Sequence, residues 1–164
     1  LGAMAASQGT MNNFTFGSEK YQYYETISGG SGAGPGFDGT DVVQTNMTNS
    51  RLTDPEILEW RYPVRLDSYS IRAGSGGAGR WHGGNGGVRR VRFLEPMTAA
   101  ILSNNRIIPP FGMDGGAPGA LGRNYVERVD GTVEQLAHIG KTDMCPGDVF
   151  VIETPGGGGY GRTE

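Results

Sequence analysis

Apolar and polar positions in this chain alternate with a period of two over short stretches, and glycine or proline separates the stretches. Residues 10–16 and 20–27 are rich in Thr, Phe and Tyr and meet at Gly17-Ser18, the pattern of two strands joined by a tight turn. In the second stretch the alternation places Tyr21, Tyr23 and Glu25 on one face. Further short β-prone runs are predicted at 64–71, 88–94, 98–103, 124–129, 132–139 and 149–153. Asp130-Gly131 reads as a type I′ hairpin turn, which needs positive φ at both central positions.

A single helix start stands out. In Thr53-Asp54-Pro55-Glu56, Thr53 fits the N-cap, Glu56 completes a capping box and Pro55 sits in the first turn. Pro63 ends the helix after about two turns. One helix cannot supply the crossovers of a parallel sheet, so the expected fold is mainly β: a Gly-rich sandwich- or barrel-like domain of short strands with one short helix, over residues 1–164.

Composition sharpens this picture. The 30 glycines and 9 prolines dilute the apolar fraction to 36% but lie between apolar runs, which indicates a folded, loop-rich chain. A net charge of −3 with interspersed signs offers no basic stripe for nucleic acid. No apolar run approaches the roughly 20 residues of a membrane span. Cys145 stands alone, which excludes an intrachain disulfide and points to a reducing, cytoplasmic setting. Leu1-Gly2-Ala3-Met4-Ala5-Ala6 lacks an initiator Met and suggests a chain cut inside a helix, hence a fragment.

Candidate chemistry is sparse. Residues 30–36 cluster glycines whose N–H groups could face phosphate, but no helix pattern and no Gly-Lys-Ser/Thr follows. The run Gly156-Gly157-Gly158-Gly159 reads equally as a flexible tail or as backbone packed closely against other backbone. His82 and His138 have no zinc-site spacing around them, and Cys145, in a turn before the last strand, reads as a small buried group. Residues 48–54 are dense in capping and turn groups; alternatively, Arg51 could hold a substrate carboxylate at two points. Glu25, at the end of an aromatic strand beside a Gly loop, is placed either for a raised pKa or as an exposed strand residue.

Taken together, Gln8-Gly9-Thr10-Met11-Asn12-Asn13, Tyr23-Tyr24-Glu25-Thr26-Ile27, Gly29-Gly30-Ser31-Gly32-Ala33-Gly34-Pro35, Met47-Thr48-Asn49-Ser50-Arg51 and Arg61-Tyr62-Pro63-Val64 resemble the C-terminal part of the hydantoinase B/5-oxoprolinase family in order and spacing. The resemblance continues through Gly74-Ser75-Gly76-Gly77-Ala78-Gly79-Arg80, Gly116-Ala117-Pro118-Gly119, Gly140-Lys141-Thr142 and Pro146-Gly147-Asp148 to Thr154-Pro155-Gly156-Gly157-Gly158-Gly159-Tyr160-Gly161. In many relatives the residue before Met-Thr-Asn is His; here it is Asn46, which cannot shuttle a proton at neutral pH.

The resemblance implies part of an ATP-dependent hydrolase of a cyclic amide such as 5-oxoproline or N-methylhydantoin, in an oligomeric assembly with an A-type, ATPase-fold subunit or domain. ATP and a divalent cation are expected in that full assembly and none in this chain. Glu25 and Asp38 are the catalytic candidates, and Thr26, Gly32, Gly34, Asn49 and Arg51 the substrate-binding candidates. The alternative is a non-catalytic β module that docks the A-type and B-type halves. A stand-alone nucleotide-binding domain ranks last, for want of a helix after the Gly run.

Overall fold

The computed structural model describes residues 3–9, 11–46 and 50–163. The chain order is β1 (Asn12–Gly17), β2 (Gln22–Thr26), α1 (Pro55–Arg61), β3 (Val64–Ile71), β4 (Gly87–Phe93), β5 (Met97–Ser103), β6 (Arg123–Glu127), β7 (Val133–Leu136), β8 (Ile139–Met144) and β9 (Val149–Glu153). These strands form two antiparallel sheets, β2-β1-β5-β8 and β3-β4-β9-β6-β7, stacked as a sandwich and not closed into a barrel. Among the described residues no helix is long and apolar enough to cross a membrane.

The alternation read from the sequence sets the core. Phe14 and Phe16 of β1, Ala99 and Ile101 of β5, Val91 and Phe93 of β4 and Phe150 and Ile152 of β9 point into the space between the sheets and are buried. Phe14 meets Phe150 across the sandwich at 4.7 Å between centroids, and Phe16 meets Phe93 edge-on at 5.4 Å. Such tilted aromatic pairs add about 0.5–1.5 kcal/mol each beyond the area they bury.

Three local readings are corrected. The helix is capped by Asp54 and not Thr53: its carboxylate accepts from the Glu56 N–H, 2.9 Å away, which leaves Thr53 free to face Tyr23. Residues 132–139 do not form one strand, because the chain turns at Ala137 and His138 and starts β8, which carries Gly140-Lys141-Thr142-Asp143 into the other sheet. The Asp130-Gly131 turn is a three-residue loop and not type I′. The Gly131 N–H reaches the Arg128 carbonyl, the Arg128 N–H reaches the Thr132 carbonyl, and only Gly131 has positive φ.

Because neighbouring strands are antiparallel, the segments before β1, β4 and β6 and after β2, β3, β5 and β9 all emerge at one end of the sandwich. These are the Gly-rich segments. They bind one another there through backbone hydrogen bonds such as Gly30 N–H to Pro155 and Gly77 N–H to Gly157.

Candidate functional site

Glu25 and Arg89 form an ion pair in which both charges are fully enclosed between the sheets. Glu25 shares the inward face of β2 with Tyr23, and Arg89 shares that of β4 with Val91 and Phe93. The guanidinium donates from Nε to Oε1 at 2.6 Å and from Nη2 to Oε2 at 2.9 Å, a bidentate pair that ties one sheet to the other. Both side chains are essentially inaccessible, at 4% and 1% exposure, so each charge depends on the other for solvation.

Aromatic hydroxyls line this pair. The Tyr23 hydroxyl lies 2.9 Å from both Glu25 Oε2 and Thr53 Oγ1. A phenol has one proton; given to Glu25, it leaves the phenol oxygen to accept from Thr53. Burial, helped by the neighbouring Glu25 charge and opposed by Thr53, pushes the Tyr23 hydroxyl up to about 12. On the other side Arg89 lies 5.4 Å over the Tyr69 ring, whose hydroxyl is 3.0 Å from Ser28 Oγ and is also raised by burial. The Ser28 carbonyl accepts from Thr154 Oγ1 at 2.8 Å, which joins the pair's surroundings to the Gly-rich end.

At that end Gly156–Gly159 is a hub and not a tail. All four glycines are buried. A β-carbon on Gly156 would lie 1.8 Å from the Ser75 carbonyl oxygen, on Gly157 1.9 Å from that of Ser31, on Gly158 2.0 Å from that of Phe111 and on Gly159 2.3 Å from that of Ala78. Three segments distant in sequence, around Ser31, Ser75–Ala78 and Phe111, thus close on four consecutive residues, at separations that no side chain permits.

The Gly30–Gly36 segment is consumed in the same way. The N–H groups of residues 30–34 donate in turn to Pro155 O, Thr40 O, Ser7 Oγ, Gly158 O and Phe37 O, at 2.9 to 3.1 Å. None is left to cradle a phosphate, so ATP does not fit this Gly run as a phosphate loop. Gly32 would place a β-carbon 1.9 Å from the Ala5 carbonyl oxygen, and Gly34 one 2.4 Å from the Phe37 ring.

The other sequence candidates are spread out. Thr26 faces away from Glu25, on the outer side of β2, where its Oγ1 donates to Asn13 Oδ1 at 3.0 Å. Asp38 is exposed and accepts from the His82 N–H at 2.7 Å, while Asp41 accepts from the Asn85 N–H at 2.6 Å, so both carboxylates staple one Gly-rich loop to another. Arg51 is exposed just before the helix; Asn49 lies outside the described residues. Asn46 has φ +57°, a left-handed conformation that asparagine tolerates better than most side chains. His82 and His138 are exposed, and no group of three His, Cys, Asp or Glu poised to hold a metal occurs among the described residues. Cys145 is exposed, not buried, because the turn before β9 points inward with Asp148, which accepts from the Cys145 and Val129 N–H groups and from Arg128.

A second polar tie escaped the sequence reading. Arg106, on the segment leaving β5, donates from Nη1 to Asn12 Oδ1 of one sheet at 2.8 Å and from Nη2 to Asn124 Oδ1 of the other at 2.8 Å. Its guanidinium lies flat on Gly122, where a β-carbon would be 2.5 Å from Cζ. Burial, with Arg72 nearby, lowers its pKa to about 9 against the opposing pull of Glu153. The visible hint was a polar residue, Asn12, in phase with Phe14 and Phe16.

Known proteins share this chain at both levels. It is 47% identical over its whole length to a 5-oxoprolinase of Dictyostelium discoideum and 48% identical over 97% of its length to 5-oxoprolinase 1 of Arabidopsis thaliana, spanning 13% of the length of each. The fold matches an ATP-dependent caprolactamase from Pseudomonas jessenii with a TM-score of 0.83 at 26% identity, over 97% of this chain and 30% of that one. The family model for hydantoinase B/oxoprolinase matches residues 1–163, and the chain belongs to that family.

Proposed function

We propose that this chain is part of an ATP-dependent cyclic-amide hydrolase of the 5-oxoprolinase or N-methylhydantoinase type, converting 5-oxoproline, ATP and water to glutamate, ADP and phosphate in the full assembly. The observation that carries this reading is the 47% identity to a 5-oxoprolinase along the entire chain. The amide's resonance must be lost for the ring to open, and coupling to ATP is a chemically sensible way to drive that step. ATP, with a divalent cation, then belongs to an A-type subunit or domain, in keeping with a Gly run whose amides are already used. The lone Cys145 favours a reducing, cytoplasmic setting for that assembly.

Within it, the bidentate Arg89 contact supports Glu25 as an ionised positioning group that fixes Tyr23 and Thr53; proton transfer by Glu25 needs Arg89 to release it. Arg51, exposed, is the candidate open to a substrate carboxylate, with Asn49 beside it in sequence. Gly32 and Gly34 act through close packing at the Gly-rich end, Thr26 through its contact with Asn13 on β1, and Asp38 through its loop contact with His82.

The test is an assay of the full-length protein with its A-type partner for glutamate and ADP formed together from 5-oxoproline, with N-methylhydantoin as the second substrate. ATP turnover that neither cyclic amide stimulates overturns the reading. The alternative, a β module that only docks the two halves, draws support from the backbone-packed glycines and predicts that glycine substitutions abolish assembly while residual complex keeps its rate per active site.

A further inference from the structure

The two outer faces of the sandwich differ in kind. On the five-stranded sheet, Arg92 and Arg65 both reach Asp67, Arg90 forms a bidentate pair with Glu127, and Arg72 and Tyr125 converge on Glu153. These side chains lie over Val149 and Val151, which are 3% and 0% exposed. That face covers its own apolar positions with paired charges and is finished as a solvent surface.

The outer face of the four-stranded sheet is unfinished. The strand register aligns one outward residue from each strand into the row Tyr24, Thr15, Ala100, Lys141, with a parallel row ending at Thr98 and Asp143. The two central strands contribute only small side chains to these rows and the two edge strands large ones. The result is a trough of about 1110 Å³ along the middle of the sheet. The next row brings together Leu102 and Ile139, cross-strand neighbours that are 41% and 63% exposed, and Tyr24 on the rim is 59% exposed. A smooth apolar floor between tall rims is the counterpart of a ridge of side chains, as where an element of structure packs on a sheet.

We infer that this trough is a packing surface for another part of the same B-type polypeptide, outside the residues of this chain. Length favours an occupant in cis: the matched region is 13% of the 5-oxoprolinases and 30% of the caprolactamase chain, so most of each polypeptide lies elsewhere and is tethered to this region. Tethering raises effective concentration and lets a surface of this size be covered without the entropy loss of bringing in a separate chain. The occupant carries an apolar ridge over Ala100 and Thr15 and a polar group toward Lys141 and Asp143, the charged rim of the trough.

The inference rests on family membership and not on the proposed activity, so it can stand or fall in a protein that does not open 5-oxoproline. The full-length protein is prepared with Cys145, an exposed thiol at the trough, replaced by Ser, and with one thiol introduced at the trough floor, Ala100→Cys or Thr15→Cys, or as a control on the other face, Arg65→Cys. Native protection should slow maleimide labelling at the floor at least about tenfold relative to the control, since reaction needs access, and denaturation should equalise the rates. Equal native rates at both floor positions overturn the proposal. A photo-crosslinking residue at position 100 then identifies the occupant by mass spectrometry. Links within the same polypeptide to residues outside this chain are expected; links to the A-type partner or to a second copy overturn the assignment in cis.

Discussion

Glu25 and Arg89 meet through two oxygens and two nitrogens in the centre of the sandwich, the one contributed by β2 and the other by β4 of the opposite sheet. Removing one partner strands the other charge. Glu25→Gln keeps the shape but leaves Arg89 without a counter-ion, and should cost about 3–5 kcal/mol of stability in the full-length protein, read by chemical denaturation. The double variant Glu25→Leu with Arg89→Met, apolar at both positions, should recover most of that loss. A Glu25→Gln protein that is as stable as the parent sinks the positioning role.

The hub glycines make a sharper steric prediction. Gly157→Ala puts a β-carbon 1.9 Å from the Ser31 carbonyl oxygen, a backbone atom that cannot swing away. The loss should exceed the roughly 1–3 kcal/mol usual for overpacking. Gly131 has φ +86° and open space around it, so Gly131→Asn, with a side chain that tolerates this region, should stay within about 1 kcal/mol of the parent. Thermal melts of the two variants side by side would check the contrast.

The strands were legible because their alternation is local: Phe14 and Phe16, or Val91 and Phe93, declare an inward face without reference to anything else. The same alternation already held the central ion pair, since Arg89 is in phase with Val91 and Phe93, and Glu25 with Tyr23. What it lacked was the partner, because pairing a charge on β2 with one on β4 is a tertiary fact. The glycines at 156–159 were ambiguous for a related reason. A glycine required by close approach and one that merely loosens a tail look alike until the opposing carbonyl is known. Asn12 and Arg106 were missed because a polar side chain on an inward position has no sequence sign that its partner exists.

Arg51 offers a test of substrate capture that is separate from stability. It is exposed and lies before the helix, so Arg51→Ala should leave the melt of the full-length protein nearly unchanged. If its guanidinium holds the carboxylate of 5-oxoproline in two-point contact, the KM for that substrate should rise by about tenfold to a hundredfold, and Arg51→Lys should restore only part of the loss. N-methylhydantoin has no carboxylate, and its KM should hardly move. An equal effect on both substrates would remove Arg51 from carboxylate recognition.

The half-buried phenol of Tyr23 predicts the alkaline behaviour of the sandwich. Its hydroxyl titrates at about 12 in the folded protein against 10.0 for the unperturbed group, because burial and the Glu25 charge disfavour the phenolate. The folded state therefore holds this proton more tightly than the unfolded state. The resulting stability is fully present below pH 10, and it is lost as the pH rises from 10 through about 12. Deprotonation also places a phenolate 2.9 Å from Glu25 Oε2, where two anions would share the charge of Arg89. Tyr23→Phe removes both effects. At neutral pH it should be modestly less stable than the parent, for the lost hydrogen bonds to Glu25 and Thr53, yet its stability should fall less steeply between pH 10 and 12. Denaturant midpoints measured across that window, parent against variant, give the comparison. Parallel curves would mean that Tyr23 does not sense the ion pair and that another group governs the alkaline limb.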